Sequence, residues 1–376
     1  MRILVIIHEY PPVGGGGGQI AQNLCEALAE RGHEIMVLTS DCNDLPNLEE
    51  YPHISIKRLK TGRKENFRAS LSVMAKFVFQ CILKGNQAIK EWKPDVIHVH
   101  FAVPGGAAAW WLSKVNHIPY VLTVHLGDVP GGVPEKTGKW FKWVYPFTPP
   151  IWRDAAKVVA VSDFTRDLAL KKYQTPIEVI PNGVDIHQIN PGTIKLNHPP
   201  HIVFAGRFMP QKNPLGLVRI LAKCWELPWT ATLIGDGPLR PAVEQEVEAA
   251  GLDDRIQMTG WISPKEVIEW YQKSDMMVLP SLSEGLPIVG IQGGAMGLVL
   301  LLSRVGGNVD LVKPGENGQL IEVGDDEGFA AAIKELLTNP EQLLAQRIAS
   351  REMAKRFDLC HIVDQYLDVF ETARKP

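Results

Sequence analysis

The sequence has no cysteine pair at a redox or zinc spacing. Its five cysteines (Cys25, Cys42, Cys81, Cys224, Cys360) are scattered. An odd, dispersed set excludes a disulfide framework and a thiolate zinc centre, and fits a reducing compartment. Neither sign of charge is in excess: Lys and Arg number 39 against 42 Asp and Glu, a formal net charge of −3. No global basic field is therefore present to hold nucleic acid or an anionic membrane, and any phosphate recognition has to be local. No Asp-x-Asp occurs anywhere in the chain, so the usual carboxylate clamp for a metal on a diphosphate is missing. Membrane-length apolar runs are missing too. The 19 residues between Glu284 and Arg304 carry no charge, but they include five glycines, Pro287 and Gln292. They read as a turn, a buried helix and a core strand. The start, Met1–Ile7, offers too few apolar residues before His8-Glu9 for a secretory signal. The expected location is cytoplasmic.

What is present points to two domains. A chain of 376 residues exceeds one ordinary domain. Its 45% hydrophobic and 22% charged residues suit a globular protein with a full core. Strands are expected at Ile3–Ile7, Glu34–Thr39, Val96–Val99, Val121–Val124, Lys157–Val161 and Ile177–Ile180, with a helix over Ile20–Arg31. Pro191–Pro200, with three prolines, a glycine and one charge, reads as a linker. Beyond it, strands at Ile202–Ala205, Thr230–Ile234, Ile256–Thr259, Met276–Leu279 and Leu298–Leu302 alternate with helical patterns. Those patterns fall near Pro214–Trp225, Leu239–Ala250, Ile288–Met296 and Asp326–Leu337. Strand–helix alternation with continuously apolar strands means parallel sheets covered on both faces. The predicted fold class is α/β, with two Rossmann-like doubly wound domains facing across a cleft. The expected division is 1–190, a linker at 191–200, 201–358, and a terminal helix in 359–376 crossing back to the first domain. Such sheets bind ligands at the carboxyl ends of their strands.

Three segments at those strand ends carry chemistry. Gly14 to Gly18 lie between the first strand and the first helix, where successive N–H groups without Cβ obstruction make a phosphate nest. No Gly-x-Gly-x-x-Gly can be read across the run, which argues against a nicotinamide cofactor. In Gly206–Asn213, Arg207 and Lys212 stand five apart across a turn, so a guanidinium fork and an ammonium can converge on one diphosphate. In Pro280–Pro287, the N–H groups of a helix start can face phosphate while Glu284 accepts from sugar hydroxyls. Alone, a solvated loop would explain the second segment and a capping carboxylate the third. His125 follows a strand, and His98 and His100 share one strand face. Together the three imitate a zinc site, but the apolar strand around them and the lack of an acidic partner favour structural imidazoles.

In this order and spacing, the chain resembles the GT-B glycosyltransferases of family 4, which use nucleotide-activated sugars and retain anomeric configuration. The resemblance covers nearly the whole chain. It rests on Pro11-Pro12 with the glycine run, Arg31–Ile35, Asp95–His100, His125, Val179–Asp185, and Gly206-Arg207 with Lys212. It continues through Gly235–Pro238, Ser274-Asp275 before Pro280-Ser281, Glu284-Gly285 and Val305–Gly307. It implies that Arg207 and Lys212 hold a donor diphosphate and that Glu284, the first acid of the family's Glu-x7-Glu motif, touches the donor sugar. The backbone of Gly285, Leu286, Pro287 and Ile288 would face phosphates and sugar, and His125 would stand near the reacting centre. Gly15 and Gly16 match the family's glycine pair best, the extra glycines blurring the register, and Gly17 joins them as a donor-binding candidate. Gly235, Asp236 and Trp261 fall in donor-binding segments, Trp261 where the base is held. The implied partners are a nucleotide-diphosphate sugar and a hydroxyl acceptor, with no nucleic acid, no metal and no cofactor.

The sequence departs from the family at the second acid, which is Gln292 here, followed by Gly293-Gly294-Ala295; Val299 and Asp310 replace the more usual Pro and Glu. Gln292 can hydrogen-bond a ribose diol without the charge assistance that roughly doubles such a bond. The competing expectation is a non-catalytic GT-B subunit that binds sugar nucleotide or glycan for a partner. Residues 135–153 interleave Lys136, Lys139, Lys142 and Arg153 with Trp140, Trp143, Tyr145 and Trp152. That pattern suits either cleft packing or a peripheral contact with the inner face of a membrane.

Overall fold

The computed structural model describes residues 1–42, 45–66, 69–133 and 141–374. In chain order the first elements are β1 (Arg2–Ile6), α1 (Gly16–Glu30), β2 (Glu34–Ser40), β3 (Leu48–Tyr51), β4 (Ile54–Leu59), α2 (Leu71–Trp92) and β5 (Val96–His100). Then come α3 (Ala107–Asn116), β6 (Tyr120–Val124), α4 (Phe141–Val144), α5 (Pro149–Arg153), β7 (Lys157–Ala160), α6 (Asp163–Leu170) and β8 (Glu178–Val179). The next group is β9 (His201–Ala205), α7 (Pro214–Ala222), β10 (Thr230–Ile234), α8 (Arg240–Ala249), β11 (Ile256–Gly260), α9 (Pro264–Gln272), β12 (Met276–Leu279) and α10 (Ile288–Ala295). Finally β13 (Val299–Ser303), β14 (Gly318–Ile321), α11 (Asp326–Thr338), α12 (Pro340–Ala354) and α13 (Leu359–Arg374) complete the chain.

Two compact units result, Met1–Gly183 with α13, and Val184–Asp358. The first holds a sheet of order β3-β4-β2-β1-β5-β6-β7-β8, parallel throughout except for the β3–β4 edge pair. Residue alternation sends Leu4, Ile6, Leu38, Ile97 and Val99 to one face, against Phe77 and Cys81 of α2 and Leu112 of α3. Ile3, Val5, Val37 and Val121 go to the other, against Leu24 and Leu28 of α1 and Ile362, Tyr366 and Phe370 of α13. Both faces are covered, which is why the strands read as unbroken apolar runs. The second unit holds the all-parallel order β11-β10-β9-β12-β13-β14. That order reverses between β9 and β12, the switch point where such sheets take ligands.

Local departures from expectation have physical causes. Helix α1 begins at Gly16, ahead of the predicted Ile20, because Gly17 and Gly18 pack where no side chain fits. A Cβ on Gly17 would come 2.7 Å from the Phe101 ring, and one on Gly18 would come 2.6 Å from the Glu9 carbonyl oxygen. Tertiary contact overrides glycine's poor helix propensity there. The Pro191–Pro200 segment is tied to the second unit. Arg347 Nη1 donates to the Lys195 carbonyl (2.6 Å) and Asn197 Nδ2 donates to Asp275 (2.9 Å), while just ahead of the segment Arg351 reaches the carbonyls of Ile186 and Ile189. The uncharged stretch after Glu284 forms α10 and β13. Among the described residues, no helix is long and apolar enough to cross a membrane.

Candidate functional site

At the switch point of the second sheet, the loops leaving β9 and β12 are bonded to each other. Leu282 N–H donates to the Gln211 carbonyl (2.8 Å), and Gln211 Nε2 donates to the Ser283 carbonyl (2.9 Å). One residue further along each loop, Lys212 Nζ donates to Glu284 Oε1 at 2.6 Å. The pair is largely shielded, with 19% of the Lys212 side chain and 5% of the Glu284 side chain exposed. Arg207 is half-buried in the same turn as Lys212, with Nη1 4.0 Å from Met209 Sδ. Gly285, Leu286 and Pro287 then run into α10, whose N-cap, Pro287, makes no side-chain cap bond. Its first-turn N–H groups therefore have no side-chain acceptor at the cap.

Glycine fixes this backbone from behind. Gly306 has φ +51°, and a Cβ on it would overlap the Glu284 carbonyl oxygen at 1.6 Å. A Cβ on Gly307 would stand 2.0 Å from the Gly285 carbonyl oxygen. Only a residue without a side chain lets the β13 loop lie against Glu284-Gly285. Gly235 does the same for the β9 loop, with φ +127° and the Gly206 carbonyl oxygen 2.1 Å from its would-be Cβ. Asp236 accepts through its carbonyl from Phe208 N–H (2.9 Å), and its carboxylate meets Arg240 at 3.3 Å. Trp261, half-exposed, follows Gly260 at the end of β11. Gln292 is half-buried within α10. The neighbouring Gly293 has a packing reason: a Cβ there would come 2.7 Å from Met277 Cε.

In the first unit, Gly15 caps α1 and Gly16 and Gly17 form its first turn. His125 follows β6. Its backbone N–H donates to Asp128 Oδ1 (3.0 Å), and Asp128 Oδ2 accepts from Ala102 N–H (2.6 Å). His125 Nε2 lies 3.0 Å from His100 Nδ1, and His98 Nε2 lies 2.9 Å from Thr123 Oγ1. Burial, with His125 nearby, pushes the His98 imidazole down to about 3. Burial and the two neighbouring rings lower His100 well below the ordinary histidine value. Both rings are neutral at physiological pH. Among the described residues, no three His, Cys, Asp or Glu side chains are grouped to hold a metal ion.

The sequence reading missed Gln211 as the tie between loops and Asp128 as the clamp on His125. Their signals were present in the Pro-Gln-Lys turn before Asn213 and in the His-x-x-Asp spacing, which places a carboxylate over a backbone N–H three residues back. Of the residues in 135–153, those at 135–140 lie outside the described residues. Trp143 and Phe147 are 82% and 75% exposed, and Trp152 is buried against Tyr173.

Known proteins agree with this architecture. Residues 14–188 match the family described as Glycosyltransferase Family 4, and residues 188–353 match Glycosyl transferases group 1. An uncharacterized glycosyltransferase of Methanocaldococcus jannaschii is 27% identical over 95% of this chain and 94% of its own. A D-inositol 3-phosphate glycosyltransferase of Xylanimonas cellulosilytica is 25% identical over 98% and 94%. Among solved structures, the sucrose-phosphate synthase of Thermosynechococcus elongatus superposes with a TM-score of 0.83 at 22% identity, covering 98% of both chains. Anabaena HepE, solved with UDP and glucose, gives 0.78 at 20% over 99% of both. The chain belongs to the GT-B glycosyltransferases of family 4 and group 1, and is a glycosyl-transferring enzyme.

Proposed function

We propose that the chain moves a hexosyl unit from a nucleoside-diphosphate sugar to a hydroxyl acceptor, with retention and without a metal or cofactor. The observation that carries this is the Lys212–Glu284 pair at the start of α10, where an ammonium suited to a diphosphate and a carboxylate suited to sugar hydroxyls lie 2.6 Å apart. Arg207 and Lys212 neutralise the departing diphosphate, assisted by the N–H groups at the α10 start. Glu284 and the backbone of Gly285 to Ile288 hold the sugar and phosphates. Asp236, Gly235, Trp261 and Gln292 complete the nucleotide side, and Gly15 to Gly17 and His125 act from the first unit. The anomeric C–O bond to phosphate breaks, the acceptor oxygen bonds on the same face, and its proton passes to the leaving phosphate oxygen. The lack of any Asp-x-Asp supports the metal-free route. A thermal-shift panel of sugar nucleotides tests the reading. The true donor at 100 times its Kd adds about 2.7 kcal/mol of stability, and a panel in which no member stabilises the protein refutes it.

The exposed Trp143 and Phe147, in the same segment as Arg153, whose side chain is 71% exposed while paired with Asp154, support a peripheral contact with anionic lipid as well. Pelleting with vesicles only when they contain anionic lipid is the expected result, and pelleting independent of lipid charge removes the idea.

A further inference from the structure

We propose that His100 is a positioning residue that fixes the tautomer of His125, so that His125 presents an Nδ1–H donor and not a base at the reacting centre. This rests on the reading above, in which His125 stands near the donor sugar. His100 is the last residue of β5, and only 1% of it is exposed. Its Nδ1 lies 3.0 Å from His125 Nε2, while the ring centroids are 5.3 Å apart and the planes differ by 19°. With the nitrogens that much closer than the centroids, the two atoms lie between nearly coplanar rings, edge to edge. That geometry is an in-plane N–H···N hydrogen bond in which one ring donates and the other accepts.

Which ring donates follows from the far side of His100. Its Nε2 is buried and has no hydrogen-bond partner among the described residues. If His125 donated, His100 would have to carry its own proton on Nε2, leaving an N–H buried without an acceptor. If His100 donates, Nε2 is a bare lone pair. Buried N–H groups without partners are rarer in proteins than under-satisfied acceptors. The geometry therefore assigns the proton to His100 Nδ1, His125 accepts at Nε2, and the proton of neutral His125 sits on Nδ1. The surroundings hold both rings in place. The His98 ring lies tilted against His100, centroids 4.3 Å apart, and is itself anchored on Thr123, which lies 3.3 Å from the Tyr366 hydroxyl. Phe101 lies 4.7 Å from His125, and Asp128 fixes the His125 backbone. A donor at Nδ1 hydrogen-bonds a sugar hydroxyl or the leaving oxygen, and leaves removal of the acceptor proton to the departing phosphate.

Long-range proton–nitrogen NMR of histidine-labelled protein at pH 8, with His125 assigned by a His125→Gln spectrum, reads the tautomer directly. The expected wild-type result is protonation at Nδ1. His100→Phe, which keeps a ring but loses the donor, is expected to move His125 toward the Nε2–H form and lower kcat about tenfold or more, with donor KM little changed. His100→Asn, whose Nδ2–H can occupy the place of Nδ1–H, is expected to restore both. An Nε2–H tautomer in the wild-type protein overturns the assignment, as does a His125 tautomer indifferent to His100→Phe. An Nδ1–H tautomer in a protein stabilised by no sugar nucleotide would instead sink the transfer chemistry and leave the His100–His125 assignment standing.

Discussion

Lys212→Ala is expected to lower turnover with the donor sugar by about 10²–10³. Charge develops on the diphosphate as the glycosidic bond breaks, and one preorganised donor aimed at such charge contributes on that scale, roughly 3–4 kcal/mol. Lys212 is suited to the task by its shielding. It sits in a loop fastened to the β12 loop through Gln211, and its ammonium is mostly out of bulk water. An ammonium there acts through a lower effective dielectric than a surface lysine does, so its loss is felt more strongly.

The same substitution has a second effect, which has to be separated from the first. Glu284 would remain as a carboxylate with 5% of its side chain exposed and without its cation. Removing one partner of a buried pair costs about 3–5 kcal/mol of stability, and the low end applies because Lys212 is not wholly buried. A double-mutant cycle resolves the two. Glu284→Gln in the Lys212→Ala background removes the stranded charge, so the melting temperature should recover most of its loss. Turnover should stay at or below that of Lys212→Ala, measured against the single Glu284→Gln protein. If turnover instead returned to the Glu284→Gln level, the lysine's role would be to neutralise Glu284, and the diphosphate would need another partner.

Much of this was legible in the sequence, and the unread part has a common cause. β1, β9, β10 and β12 read clearly because strands buried on both faces become continuous apolar runs. α10 and β13 could be told from a membrane span because glycines and Pro287 punctuate the run. Arg207, Lys212 and Glu284 were readable as strand-end residues, and the Lys212–Glu284 contact requires only that β9 and β12 be neighbours. What the sequence hid was long-range packing. The edge strand β3 has no buried residue, with Leu48, Glu50 and Tyr51 exposed, and so lacks an apolar alternation. The early start of α1 depends on Phe101, far along the chain. The two-residue β8, where Ile177–Ile180 was expected, is cut short at a sheet edge with only one neighbour. Most telling is Pro191–Pro200. Composition marks it as a linker, while its attachment depends on Asp275 and Arg347, at a sequence separation no local pattern can report.

That attachment carries the second large expected effect, a loss of about 3–5 kcal/mol of stability on Arg347→Ala. Arg347 and Asp275 form an ion pair in which the carboxylate is fully buried and the guanidinium nearly so. Burial lowers the guanidinium's pKa, and Asp275 opposes that shift. Each charge is also hydrogen-bonded beyond the pair. Arg347 donates to the carbonyls of Lys195 and Gly297, and Asp275 accepts from Asn197 N–H, Asn197 Nδ2 and His201 N–H. This is where the site differs from buried pairs that apolar residues replace at no loss. Converting both partners together, with Arg347→Met and Asp275→Leu, removes the charges but strands the N–H groups of Asn197 and His201, each at about 1–3 kcal/mol. Urea unfolding should therefore show the double variant still below wild type, and a double variant at least as stable as wild type would contradict the role given to Asn197 and His201. Asp275 stands one residue before β12, whose far end feeds the Glu284 loop, so the pair is positioned to fix the strand and not the chemistry. Arg347→Ala protein held below its lowered melting temperature should bind the donor with nearly wild-type affinity, in contrast to Lys212→Ala.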